Sequence, residues 1–201
     1  ISANNAIMLG TRMIKAGMLD AVIAGGTDAL CRFTVNGFSS LGILDSKNCR
    51  PFDATREGLN LGEGAGYLLL VSEKIMSVKR YSRVAGYSNA NDAFHQTASS
   101  ASGEGAYMAM SGAIEMSKID KRDIGYINVH GTGTPNNDSS EAIAMKRLFG
   151  DEIPPYSSTK GFTGHTLGAA GGIESLFTVL SVYGGYIWPN LNFSEMMDEC
   201  D

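Results

Sequence analysis

A chain of 201 residues, 43% hydrophobic and 18% charged with a net charge of −5, has the makeup of a globular protein long enough to bury a core as one large or two small domains. The acidic balance and the lack of any Lys/Arg cluster argue against nucleic-acid binding, and the longest mostly apolar stretches, Gly64 to Val71 and Ser175 to Trp188, fall short of the roughly 18 to 20 residues that cross a bilayer. Three cysteines without paired spacing, Cys31, Cys49 and Cys200, suit reduced thiols in the cytoplasm and not a disulfide scaffold or metal site. Ile1 is no initiator methionine and no signal sequence follows it, while the polar stretch from 192 to 201 ends without a clear element, so the chain reads as cut from something longer.

In chain order, Ala6, Ile7, Leu9, Met13 and Ile14 recur at helical spacing and predict a helix over Ala3 to Ala16, stopped by Gly17. Ala21 to Ala24 reads as a buried strand ended by a tight loop at Gly25-Gly26, Gly66 to Ser72 as a second strand, and Arg83 to Tyr87 as the start of another. A helix is predicted over Gly105 to Ser117, with Glu104 in its first turn. Ile124 to Val129 then alternates into a strand ending at His130-Gly131-Thr132-Gly133-Thr134, and Ser140 to Leu148 resumes as helix. A third unit runs from a strand end at Ser157 to Thr159 through a Gly161 to Gly172 loop, a helix from Ile173 to about Tyr183 and a strand at Tyr186 to Trp188. Such alternation predicts α/β architecture with largely parallel sheets, and no linker divides it. Small residues, helix, Gly and strand follow one another both in Ala3 to Ala24 and in Ala169 to Trp188, a faint echo of duplicated halves.

The chemistry concentrates in two glycine-rich loops. His130 and His165 each follow a predicted strand and precede a predicted helix, which in open α/β sheets is where ligands bind. No phosphate-cradling pattern is present to compete with this reading. Around them stand His130-Gly131-Thr132-Gly133-Thr134-Pro135 with Asp138 and Glu141, and Lys160 with Gly164, His165, Gly168, Ala169, Ala170 and Gly171. A third block, Arg50-Pro51-Phe52-Asp53 with Arg56, Glu57 and Gly58, continues to Gly66.

On these three blocks the chain resembles the elongating β-ketoacyl-acyl carrier protein synthases, condensing enzymes of fatty acid and polyketide synthesis with a Cys-His-His site. The resemblance covers essentially the whole chain. It implies an α/β, thiolase-like fold, incomplete here, with layered mixed sheets and helices between and outside them. Residues 1–75 would form the end of the N-terminal half and 76–201 most of the C-terminal half. It implies His130, His165, Lys160 and Glu141 as catalytic residues, and Thr132, Thr134, Phe38 and His95 as lining the substrate. Bland alternatives stay open: turn residues for the threonines, a core ring for Phe38, an exposed loop for His95, a solvated Lys160, and an ordinary helix start at Glu141. The resemblance implies no cofactor of the protein's own, substrates carried on the phosphopantetheine of acyl carrier protein, a homodimeric parent, and neither nucleic-acid nor membrane partners.

One family feature is missing. Aligning the family's nucleophile helix on Ala3 to Ile7 puts its cysteine just before Ile1, and the family's C-terminal glycine-rich loop would fall beyond Asp201, so this piece is expected to be inactive by itself. A nucleophilic cysteine needs a helix start or a cation to stabilise its thiolate, and Cys31 after a strand-like run, Cys49 before Arg50-Pro51 and Cys200 in the acidic tail are expected not to replace it. The histidines fit a reaction in which a malonyl thioester loses carbon dioxide and negative charge grows on its carbonyl oxygen. Two neutral imidazoles aimed at that oxygen would stabilise it, Lys160 would keep an imidazole neutral, and Glu141 would offset Lys160. The two histidine loops are therefore expected to open on one end of the sheets. Two rivals remain: a non-catalytic chain-length-factor-like partner subunit, against which the retained His130, Lys160 and His165 speak, and a degradative thiolase.

Overall fold

The computed structural model describes residues 1–198, so Cys200 lies outside the described residues. Two compact units form, and the chain passes back and forth between them. One unit takes Ile1–Arg32, Leu61–Val84 and His165–Ile187; the other takes Phe33–Asn60, Ala85–Gly164 and the described residues from Trp188 onward.

In the first unit, helix α1 (Ser2–Lys15) and strand β1 (Ala21–Asp28) follow one another, and β1 pairs antiparallel with β2 (Gly64–Val71) from Ala21↔Val71 to Asp28↔Gly64. The predicted loop at Gly25-Gly26 is thus corrected to strand interior. These glycines are needed for close packing: a Cβ on Gly26 would strike the Gly168 carbonyl oxygen, and one on Gly66 would sit 2.6 Å from the Ile173 amide nitrogen. Helix α6 (Ala170–Gly184) thereby lays its small-residue start, buried at Ala170, Gly171 and Gly172, directly on the sheet. Ile23, Tyr67 and Leu69, on the opposite face of the same strands, are exposed.

The expectation that nothing reaches spanning length is also corrected, because the run Leu167–Gly184 meets it on length and composition. Its continuous α-helix, however, is only the 15 residues of α6, about 22 Å at 1.5 Å per residue against a hydrocarbon core of about 30 Å, and it carries Glu174. Its packing on β1 and β2 makes it a helix of this unit.

In the second unit, β3 (Ile127–Asn128) pairs parallel with β4 (Tyr156–Ser157). Helices α3 (Glu104–Ser117) and α4 (Pro135–Phe149) pack beside them, and Phe52, Val129, Ala142, Met145, Phe149 and Met197 form the core. The longer strands predicted here shrink for local reasons. Pro154 and Pro155 bring no N–H to a ladder, and Asp120 caps a 3-10 turn at Lys121–Asp123 just upstream. Helix α4 starts earlier than predicted because Pro135 suits the first helical position. No strand forms among the described residues at Arg83 to Tyr87 or Tyr186 to Trp188: Gly86 lies against α3, where a Cβ would meet Ala113, and Trp188 gives its carbonyl to the Ser157 hydroxyl at 2.7 Å. Helix α2 (Arg32–Ser40), which buries none of its residues, was not predicted; it is only nine residues long and carries Gly37, a poor helix former. The described strands thus form one antiparallel and one parallel pair, a mixed arrangement and not the largely parallel one the alternation predicts.

Candidate active site

The His130 loop is built from α4 backward. Asp138 and Glu141, three residues apart, share one face of the first helical turns, where the positive end of the helix favours carboxylates. They collect four consecutive amides of the preceding loop. Glu141 accepts from His130 N and Gly131 N at 2.8 Å each, and Asp138 from Thr132 N at 2.9 Å and Gly133 N at 3.1 Å. Asp138, fully buried, also takes the Phe52 amide at 2.9 Å, which ties the Arg50-Pro51-Phe52-Asp53 block to the loop. Gly131 and Gly133 stand at φ of 38° and 77°, a left-handed backbone that glycine adopts without strain.

Lys160 opens the short helix α5 (Lys160–Thr163) and is only 1% exposed, so it is not a solvated loop lysine. Its Nζ donates to the His130 carbonyl at 2.6 Å and lies 3.2 Å from His130 Nδ1. An ammonium has only donors, so Nδ1 accepts and the proton of a neutral imidazole sits on Nε2. Ser158, fully buried, joins the two segments: its hydroxyl donates to the Gly131 carbonyl at 2.7 Å and accepts from Lys160 N at 3.2 Å. Thr132 and Thr134 hydroxyls bond each other at 2.8 Å. One of the two must donate, which leaves the other's proton for a further acceptor.

Burial pushes the Glu141 carboxyl up to about 7, against the downward pull of the Gly131 and His130 amides and of the Lys160 charge. Burial pushes Asp138 upward too, partly offset by the Phe52 amide and its other donors. Folded Glu141 therefore holds a proton that the unfolded residue releases near 4.5, and the stability this contributes is full below 4.5 and lost as pH rises through about 7. Urea unfolding midpoints are expected to fall between about pH 5 and about pH 8, and Glu141→Gln should shrink that fall. A pH dependence identical in the variant would assign the titration elsewhere.

His165 belongs to the first unit. Its carbonyl accepts from Gly62 N at 3.0 Å, and its Nδ1 accepts from Leu167 N at 3.0 Å, so here too the proton of a neutral ring lies on Nε2.

The remaining candidates stand apart from these networks. His95 is exposed and its Nδ1 takes the Thr97 amide at 3.2 Å within its own loop; Phe38 is half-buried on α2, not a core ring. Cys31 is exposed and, contrary to the expectation that no helix start adjoins it, immediately precedes helix α2, while Cys49 is buried, donates to the Thr132 carbonyl at 3.2 Å and has its thiol pushed up to about 11, chiefly by burial. A buried thiol held protonated in this way is a packing residue and no nucleophile at neutral pH. Sequence reasoning assigned no part to Ser158, which carries no signal beyond adjacency to Lys160. The architectural part of Asp138 could have been read from its place one helical turn ahead of Glu141.

The model of the β-ketoacyl synthase N-terminal domain matches residues 2–74, and that of the β-ketoacyl synthase C-terminal domain matches residues 81–194. The chain is 37% identical over 211 aligned positions to 3-oxoacyl-[acyl-carrier-protein] synthase 2 of Staphylococcus aureus, covering 100% of this chain and 52% of that one. It thus spans about half the length of the curated relatives it matches. A β-ketoacyl synthase from Burkholderia phymatum superposes with a TM-score of 0.93 at 34% identity, over 100% of this chain and 50% of that one. A chain from the complex of a type II PKS acyl-carrier protein with its ketosynthase gives a TM-score of 0.94 at 31% identity, over 98% of this chain and 52% of that one. With both domain models matched in order and the thiolase-like fold shared across these structures, the chain belongs to the β-ketoacyl synthase family.

Proposed function

We propose that this chain is part of a condensing enzyme that joins an acyl thioester to malonyl-acyl carrier protein with loss of carbon dioxide. The observation that supports this best is the contact of the buried Lys160 ammonium with His130 Nδ1, which turns a protonated Nε2 outward as a hydrogen-bond donor. His130 and His165 are the donors in this reading, and Lys160 and Glu141 support them: the cation disfavours imidazolium, and the carboxylate holds the His130 and Gly131 amides. As the malonyl C–C bond breaks, its electron pair moves into the thioester enolate and carbon dioxide leaves. The enolate carbon then attacks the acyl thioester carbonyl and expels the thiolate. Charge grows on the enolate oxygen in the first step, and pre-aimed neutral donors stabilise it there.

In the whole protein the substrates ride on the phosphopantetheine arm of acyl carrier protein, and no cofactor of the protein's own is required. Thr132 and Thr134 supply hydroxyls to that arm, while Phe38 and His95 line the acyl side. Residues 1–75 belong to the end of the N-terminal half and 76–201 to most of the C-terminal half of a homodimer in the cytoplasm.

The test is product analysis of the whole protein with an acyl-acyl carrier protein and malonyl-acyl carrier protein. One carbon dioxide released per β-ketoacyl product is expected. Product formed equally well from an unactivated acetyl thioester would indicate thiolase chemistry, and no product from the isolated protein would indicate a non-catalytic partner subunit.

A further inference from the structure

We infer that Asp28 is a positioning residue for His165, holding the turn whose amide fixes which imidazole nitrogen carries the proton; the inference deepens, and rests on, the reading of His165 as a donor. All the parts lie in one compact unit. Asp28 is the last residue of β1, paired with Gly64 at the start of β2. Its Oδ2 accepts the Gly168 amide at 2.9 Å across 140 positions of chain, and its Oδ1 accepts its neighbour Ala29 N at 3.0 Å.

The turn from His165 to Gly168 is thereby held at both ends. At the first, the Gly62 amide donates to the His165 carbonyl at 3.0 Å and Leu61 forms a bridge with His165; at the second stands the Asp28 carboxylate. Between them Leu167 has φ of 48°, a left-handed conformation that a residue with a branched side chain keeps only where its surroundings over-determine it. That conformation accompanies the Leu167 amide donating to His165 Nδ1 at 3.0 Å. The amide adjoining the Asp28 contact is therefore the one that makes Nδ1 an acceptor and leaves hydrogen on Nε2. No other described contact holds the Gly168 amide. An acceptor at position 28 is what the turn requires, and a formal charge is not.

The experiment reads the tautomer from the imidazole itself, by long-range proton-nitrogen correlation of the three histidines, with His165→Gln identifying the His165 signals. In the native chain His165 is expected as a single Nε2–H tautomer. Asp28→Ala should convert it to a mixture of the two tautomers, and Asp28→Asn, which keeps an acceptor oxygen at the same reach, should restore the single form. Should Asp28→Ala not fold, Asp28→Ser, whose hydroxyl stops short of the Gly168 amide, carries the same two outcomes. In the whole protein Asp28→Ala should lower malonyl decarboxylation roughly tenfold and Asp28→Asn by less than about threefold. A pure Nε2–H signature in folded Asp28→Ala, or its loss in Asp28→Asn as well, overturns the inference. A tautomer shift with decarboxylation unchanged would uphold the part played by Asp28 and overturn instead the catalytic reading of His165.

Discussion

Lys160→Met in the whole protein is expected to slow malonyl decarboxylation by roughly a hundredfold while acyl transfer to the enzyme's nucleophile changes little. Methionine keeps most of the lysine stem's volume in a site that is 1% exposed, so the variant tests charge and donor capacity more than packing. It removes two contacts at once, to the His130 carbonyl at 2.6 Å and to Nδ1 at 3.2 Å. Without the cation, imidazolium becomes easier to form at His130, and the orientation of the ring is no longer held from behind. Both losses fall on the step that builds charge on the enolate. Measuring carbon dioxide release and acyl uptake as separate half-reactions checks this. Equal losses in both would show that Lys160 serves the fold of the loop and not the donor.

His130→Ala and His165→Ala should each cost about 100- to 1,000-fold in decarboxylation, the usual consequence of deleting one pre-aimed donor at a developing oxyanion. If both histidines serve the one transition state proposed above, the loss in the double variant should be far smaller than the product of the two single losses, because groups that act as a unit do not add. His95→Ala, at an exposed ring bonded only to its own loop among the described contacts, should fall well short of either. Single-turnover carbon dioxide release from malonyl-acyl carrier protein, compared between the native whole protein and these four variants, settles the ranking. A His95 effect as large as the other two would mean that the acyl side of the site, and not the enolate, limits the reaction.

The His130 loop was legible in the sequence because its order is local, a strand, a glycine-rich polar loop and a helix carrying Glu141, whereas the start of that helix at Pro135, which puts Asp138 on it one turn ahead of Glu141, was not. Lys160 was legible only through the family resemblance. Nothing local to Ser158-Thr159-Lys160 says that the ammonium is buried or that it reaches 30 positions back to His130. Long-range pairing was the weakest part of the reading. Gly25-Gly26 looked like a turn because glycine usually ends strands, whereas tertiary contact with Gly168 and Gly66 requires glycine inside this one. Asp28 and Ser158 were passed over for the same reason, since a lone polar residue at a strand end has no spacing to recognise and acquires meaning only from a partner far along the chain.

Titration of the His130 imidazole followed by NMR, in the native chain and in Lys160→Met, tests most directly the claim that Lys160 maintains His130 as a neutral Nε2–H donor. Native His130 is expected to stay neutral, with its hydrogen on Nε2, down to a lower pH than in the variant, and the variant is expected to lose the single tautomer. Coincident titration curves with the same tautomer in both proteins would contradict it.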